Sequence, residues 1–171
     1  MELVPLRYLP KRLTKKDKKT QLKNLRKSRR LYKRGVFFER PKVRSFKSKP
    51  SKHLRIAEKM YGVDSIQPNK DLSNATKCSV ESLQKIVEKG EGAYYSSGSR
   101  PNQTARSWGI ARLASSITGG KASAVDFSIL EEGCDHRTSK AYRLAKRSLK
   151  RNGYGRSSTK RINTKIVDNS K

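Results

Sequence analysis

The chain has 171 residues, with 42 Lys or Arg against 14 Asp or Glu, a net charge of +28, and only 33% apolar residues. These values argue against one compact core built from the whole length and call for a large acidic partner, because an isolated domain so charged repels itself. No apolar run is long enough to cross a membrane, and residues 1–7 lack the basic start and apolar stretch of a secretory signal, so neither segment is expected.

The charge is unevenly placed. Residues 1–55 hold 21 basic and 3 acidic residues, net +18, and residues 137–171 hold 12 and 1, net +11. Between them, residues 56–136 hold 9 basic and 10 acidic residues, net −1. The pattern predicts two cationic arms flanking a neutral helical centre.

Residues 1–13 combine Pro5 and Pro10 with scattered apolar groups and read as an extended peptide that docks onto something. Thr14 is a good N-cap, and Asp17 suits the first turn of a helix that can run to Arg34 and stop at Gly35. Its apolar stripe is only Leu22, Leu25, Leu31 and Tyr32, so a helix this charged depends on a partner. Residues 36–50 read as a linker with an aromatic anchor. A short helix from Ser51 carries Leu54, Ala57 and Tyr61 and closes at Gly62. Residues 63–77 read as connection, with one turn near 71–75.

Globular patterning begins at Ser79, which caps a helix bearing Leu83, Ile86 and Val87 and ending at Gly90. Residues 90–104 read as a Gly/Ser loop. Thr104 opens a helix with Trp108, Ala111 and Leu113 that stops at Gly119-Gly120. Ser123 opens another, with Asp126 as its capping-box acid, and Gly133 ends it. Thr138 or Ser139 opens a last helix with Ala141, Leu144, Ala145 and Leu149. Beyond Gly153 and Gly155 the tail is basic, with Ile162, Ile166 and Val167 as isolated apolar points. No strand pattern competes. The expected fold class is all-α: four or five short helices around Trp108, with extended basic N- and C-terminal arms. The boundaries drawn are an arm at 1–50, a helical domain at 51–150 with its best core at 79–150, and a tail at 151–171.

The candidate partner-binding residues are three clusters: Lys15, Lys16, Lys18 and Lys19; Arg26, Lys27, Arg29 and Arg30; and Lys146, Arg147, Lys150 and Arg151. Each phosphate they neutralise would release counterions without reading sequence. An acidic protein surface would satisfy the same charges. A second candidate is the loop before Thr104, where Ser97, Ser99 and Arg100 could hold an anion; turn formation explains the same residues.

Other chemistry finds little support. Residues 116–123 (Ser-Ile-Thr-Gly-Gly-Lys-Ala-Ser) lack the first glycine of a phosphate-binding loop and the hydroxyl after Lys121. Cys134 and His136 are close, but Cys78 and His53 are remote, so no zinc spacing occurs. Both cysteines read as buried thiols suited to a reducing compartment. No acid–base pair stands out, so a non-enzymatic protein without cofactor, metal or small-molecule substrate is expected.

Residues 92–104 (Gly-Ala-Tyr-Tyr-Ser-Ser-Gly-Ser-Arg-Pro-Asn-Gln-Thr) with 107–126 (Ser-Trp-Gly-Ile-Ala-Arg-Leu-Ala-Ser-Ser-Ile-Thr-Gly-Gly-Lys-Ala-Ser-Ala-Val-Asp) resemble an uncharacterised domain of large double-stranded DNA viruses of algae and protists and of some tailed phages. Residues 7–11 and 45–49 are similar to the algal-virus versions. The resemblance implies a viral setting and supplies no activity or site residues. In that setting the expectation is a virion component: a minor capsid protein whose cationic arms address the acidic surfaces of other capsid proteins beneath a shell. The alternative is a sequence-independent viral DNA-binding or condensing protein.

Overall fold

The computed structural model describes residues 2–154 and 159–169. Helix predominates, with nine α-helices among the described residues and one two-stranded sheet. The helix count exceeds the four or five expected, because short helical turns occupy segments read as connection. The chain divides into two compact units, one of residues 1–49, 92–105 and 158–171, the other of 50–91 and 106–157. These boundaries differ from the arm, domain and tail drawn from charge, because both chain ends and part of the centre build the first unit.

In the first unit β1 (Leu3–Pro5) pairs antiparallel with β2 (Arg161–Asn163), Val4 opposite Ile162. A 3-10 turn (Leu6–Tyr8) follows β1, and α1 (Lys15–Tyr32) opens where the Thr14 hydroxyl accepts the Asp17 N–H at 3.2 Å. Gly35 takes a positive φ of 74° just beyond its end. The Asp17 carboxylate accepts the N–H and hydroxyl of Ser45 at 2.7 and 2.6 Å. These hydrogen bonds hold its pKa below the usual carboxylate range. Asn102, itself at φ 60°, fixes the same strap by bonding Val43 N–H and the carbonyls of Val43 and Phe46.

The described parts of both arms therefore contribute to a compact unit. Val4, Leu9, Leu22 and Leu25 are buried, and a smaller cluster joins Leu13, Val43 and Phe46. The basic N-terminal helix finds its apolar support in its own chain's ends. Val167, on the short α9 (Lys165–Asp168), is buried too. The extended peptide expected at residues 1–13 docks on this unit. Gly155, named with Gly153 at the start of the basic tail, lies outside the described residues.

The second unit contains α2 (Lys52–Tyr61), α3 (Lys70–Thr76), most of α4 (Val80–Ser96) and of α5 (Ala105–Ile117), then α6 (Lys121–Val125), α7 (Phe127–Gly133) and α8 (Lys140–Asn152). Ser51 and Ser139 cap α2 and α8 as expected, and Gly62 ends α2 at φ 63°. The core is Leu83, Ile86, Val87, Leu113, Ile117 and Leu130 with their neighbours. Trp108 is only half-buried and stands outside that cluster, so the core does not centre on it.

Gly90 does not stop α4, which runs on to Ser96. A Cβ at Gly90 would lie 2.6 Å from Gly109 Cα, and one at Gly109 would lie 2.5 Å from the Val87 carbonyl oxygen. Glycine is used here for close helix approach rather than termination.

Cys78 and Cys134 form a disulfide, S–S 2.03 Å, instead of two thiols. Ser79 N–H donates to Gly133 O and Asp135 N–H to Lys77 O, both at 2.8 Å. That antiparallel bridge sets the two residues opposite one another. A 56-residue separation gives no local sign of it.

Candidate polyanion-binding surfaces

With 3.6 residues per turn, α1 sorts its side chains sharply. Gln21, Leu22, Leu25 and Ser28 are buried, while Lys15, Lys16, Lys19, Thr20, Lys23, Arg26, Lys27 and Arg30 are exposed along one arc. Apart from Thr20, every exposed position is cationic. Over 18 residues the stripe is about 27 Å long. The helix's one acid, Asp17, is turned to Ser45. Lys18 is half-buried at the edge.

Two of the candidate residues serve the fold. Arg26 bonds Glu2 at 2.9 Å and spans both Asp168 oxygens at 3.2 and 3.0 Å, tying both chain ends to α1. Hydrogen bonding to Asp168 raises the Arg26 pKa, and the same bond lowers that of Asp168. Arg29 bonds Glu2 at 2.8 Å and reaches the Ser97 carbonyl through Nε and Nη2. Lys27 lies over the Phe38 ring at 4.4 Å and keeps its exposure.

In the second unit α8 repeats the pattern. Ala141, Tyr142, Ala145 and Ser148 are buried, whereas Lys140, Arg143, Lys146, Arg147, Lys150 and Arg151 are exposed, with no acid in the helix. Lys146 stands 6.0 Å from the Tyr142 ring. Neither α1 nor α8 leaves an apolar face for a lipid surface, since those faces are inside. No helix among the described residues is long and apolar enough to cross a membrane.

The loop after α4 is not the simple anion cradle expected. Ser99 is buried, and its hydroxyl accepts from Arg40 Nη2 at 2.7 Å while donating to the Arg100 carbonyl at 2.8 Å. Ser97 offers its carbonyl to Arg29, and the exposed Arg100 side chain lines a separate cavity. Composition gave no hint of Arg40, which is 8% exposed and also bonds Ser28 Oγ at 3.0 Å and Tyr94 O at 2.7 Å. Burial pulls its pKa down. A lone arginine beside Pro41 carries no local sign of such a role.

The Asp126 carboxylate likewise caps no helix, although the residue stands at the N-cap position of α7. It is fully buried and accepts from Arg112 at 2.9 and 2.7 Å and from Ser116 at 2.8 Å, with Lys89 at 3.4 Å. Cys134 is bonded to Cys78, and His136 stacks on Tyr142 at 4.2 Å. Among the described residues no group of three or more His, Cys, Asp or Glu could hold a metal ion. The structure presents one cationic helix face on α1, in the first unit, and another on α8, in the second.

The profile of a family of unknown function (DUF5824) matches residues 5–132, and the chain belongs to that family. No curated protein and no solved structure matches it significantly. The α1 stripe lies within the matched span and α8 outside it.

Proposed function

We propose that the protein is a sequence-independent binder of double-stranded nucleic acid, acting through the cationic faces of α1 and α8. The observation that carries this is the α1 stripe, where seven of the eight exposed positions are Lys or Arg and none is acidic or apolar. Protein–protein interface cores are depleted in Lys and enriched in aromatic residues, whereas protein–DNA interfaces are strongly positive and polar. The stripe has the second composition. Rigid helical presentation also spares the ordering entropy that a disordered arm would lose on binding.

Attachment beneath a capsid shell would set acidic protein surfaces against these same helix faces. The proposed function is charge neutralisation without base readout, in which Lys15, Lys16, Lys19, Lys23, Lys27 and Arg30 meet phosphates.

The test is fluorescence anisotropy with a short duplex from 50 to 300 mM salt. Six phosphate contacts would give a slope of log affinity on log salt near ~−5. Two duplexes of unrelated sequence should bind within about threefold of each other. K19Q/K23Q/K27Q should flatten the slope by about 0.9 per lost contact. Equal affinity for polyglutamate of matched charge would instead favour an acidic protein surface. Duplex binding untouched by the triple variant would remove the α1 assignment.

A further inference from the structure

Four distant parts of the first unit meet around an open cavity of about 400 Å³. Arg7, Lys11 and Arg12 come from the N-terminal turn, Arg100 from the loop after α4, and Lys160 from the segment before β2. Leu6, Pro10 and Phe46 give the cavity an apolar part. No acidic side chain lines it among the described residues.

The walls are held independently of any ligand. Leu6 N–H donates to the Lys160 carbonyl at 2.8 Å, joining the C-terminal segment to the 3-10 turn. Phe46 is fixed through its carbonyl by Asn102, and the Arg12 guanidinium lies 4.9 Å from its ring centroid. The Arg100 backbone is pinned by Ser99, which is itself pinned by buried Arg40. Like charges gathered at one concavity repel, and none of the described lining residues is acidic.

We propose that this cavity binds a polyphosphorylated ligand with an apolar body, of the class of a nucleoside triphosphate. A single phosphate could meet only part of the charge of Lys11, Arg12, Arg100 and Lys160, whereas a phosphate chain meets more of it with charge-assisted hydrogen bonds. Leu6, Pro10 and the edge of Phe46 then cover the less polar end. The volume falls within the usual range of small-ligand sites, roughly 300–1,000 Å³. The same chemistry has two sources, a free nucleotide or the phosphorylated end of a nucleic-acid strand. The inference stands apart from the helix-face reading, because Arg7, Lys11, Arg12, Arg100 and Lys160 all lie outside α1 and α8.

The experiment is calorimetric titration of the full chain at 50 mM salt with ATP, AMP, inorganic triphosphate, and an oligonucleotide with or without a 5′-phosphate. ATP should bind more tightly than either AMP or inorganic triphosphate. R12Q/R100Q/K160Q should weaken ATP at least about tenfold while leaving duplex affinity within about threefold, and K19Q/K23Q/K27Q should do the reverse. A 5′-phosphate preference that vanishes in the cavity variant assigns the site to strand ends; ATP binding alone assigns it to a free nucleotide. Lack of ATP binding below 1 mM, or ATP binding unchanged in the cavity variant, overturns the proposal. Loss of duplex binding with ATP binding intact would overturn only the helix-face reading. Circular dichroism of the variant confirms that it folds, and R100Q alone, on an exposed side chain, serves if it does not.

Discussion

The guanidinium carbon of Arg40 lies 3.7 Å from the centroid of the Tyr94 ring, and the Arg40 N–H donates to the Tyr94 hydroxyl at 3.0 Å. The last turn of α4 leaves carbonyls that no helix partner can reach. Arg40 takes that of Tyr94, Ser28 takes that of Tyr95 at 3.2 Å, and Arg29 takes that of Ser97. This is why α4 continues past two glycines, and why Arg40 is a positioning residue rather than a ligand contact.

Arg40→Met should therefore cost about 3 kcal/mol, since it removes a stacked cation and leaves buried acceptors without donors. Arg40→Lys should recover little, because one ammonium cannot reach Ser28, Tyr94 and Ser99 in a planar fork. Urea unfolding checks both. A lysine variant as stable as wild type would show that charge alone suffices.

The glycine pair makes a prediction opposite in sign to helix propensity. Gly→Ala in a helix usually gains about 1 kcal/mol. At Gly92 the nearest atom to an added Cβ is Tyr32 Oη at 3.5 Å, an ordinary contact, so Gly92→Ala should follow the rule. Gly109→Ala pushes a methyl against Val87 backbone and should instead destabilise by about 1–3 kcal/mol. Equal stability of the two variants would end the close-packing account.

The disulfide closes a loop of 56 residues. Chain entropy assigns such a closure about 4 kcal/mol. Reductant should lower the urea midpoint of the wild type and leave C78S/C134S unchanged. Peptide mapping without reduction should recover the segments around Cys78 and Cys134 as one linked species; two free peptides would refute the bond.

Several helix starts and stops were legible because caps are local. Thr14, Ser51, Ser139, Gly35 and Gly62 each act within a few residues of themselves. What escaped depends on distant parts of the chain meeting. Val4, Ile162 and Val167 look like stray apolar points until the two termini pair beside α1. Arg26 and Arg29 are indistinguishable in sequence from Lys23 and Arg30, yet Glu2 and Asp168 claim the first two from residues far along the chain. The exposed half of the α1 stripe was readable, and the cationic cavity was not, because its residues come from four separate segments.

The same long-range ties set the response to acid. Asp17 and Asp168 have pKa values below the carboxylate norm, the first through Ser45 and the second through Arg26. A depressed native pKa means that the unfolded chain takes up protons first. The stabilisation is complete above the unfolded value of about 3.9 and is lost as pH falls through the native values. Protonation also adds to a net charge already at +28, which widens the repulsion between segments. D17N/D168N should be less stable than wild type at pH 6 and should lose less stability between pH 6 and pH 3. Hydrogen exchange should report the wild-type loss first in β1, next to Glu2, and in β2 and the following α9, which carries Asp168, since Arg26 holds both acids. Parallel decline of the two proteins would mean that the acid response resides in other carboxylates.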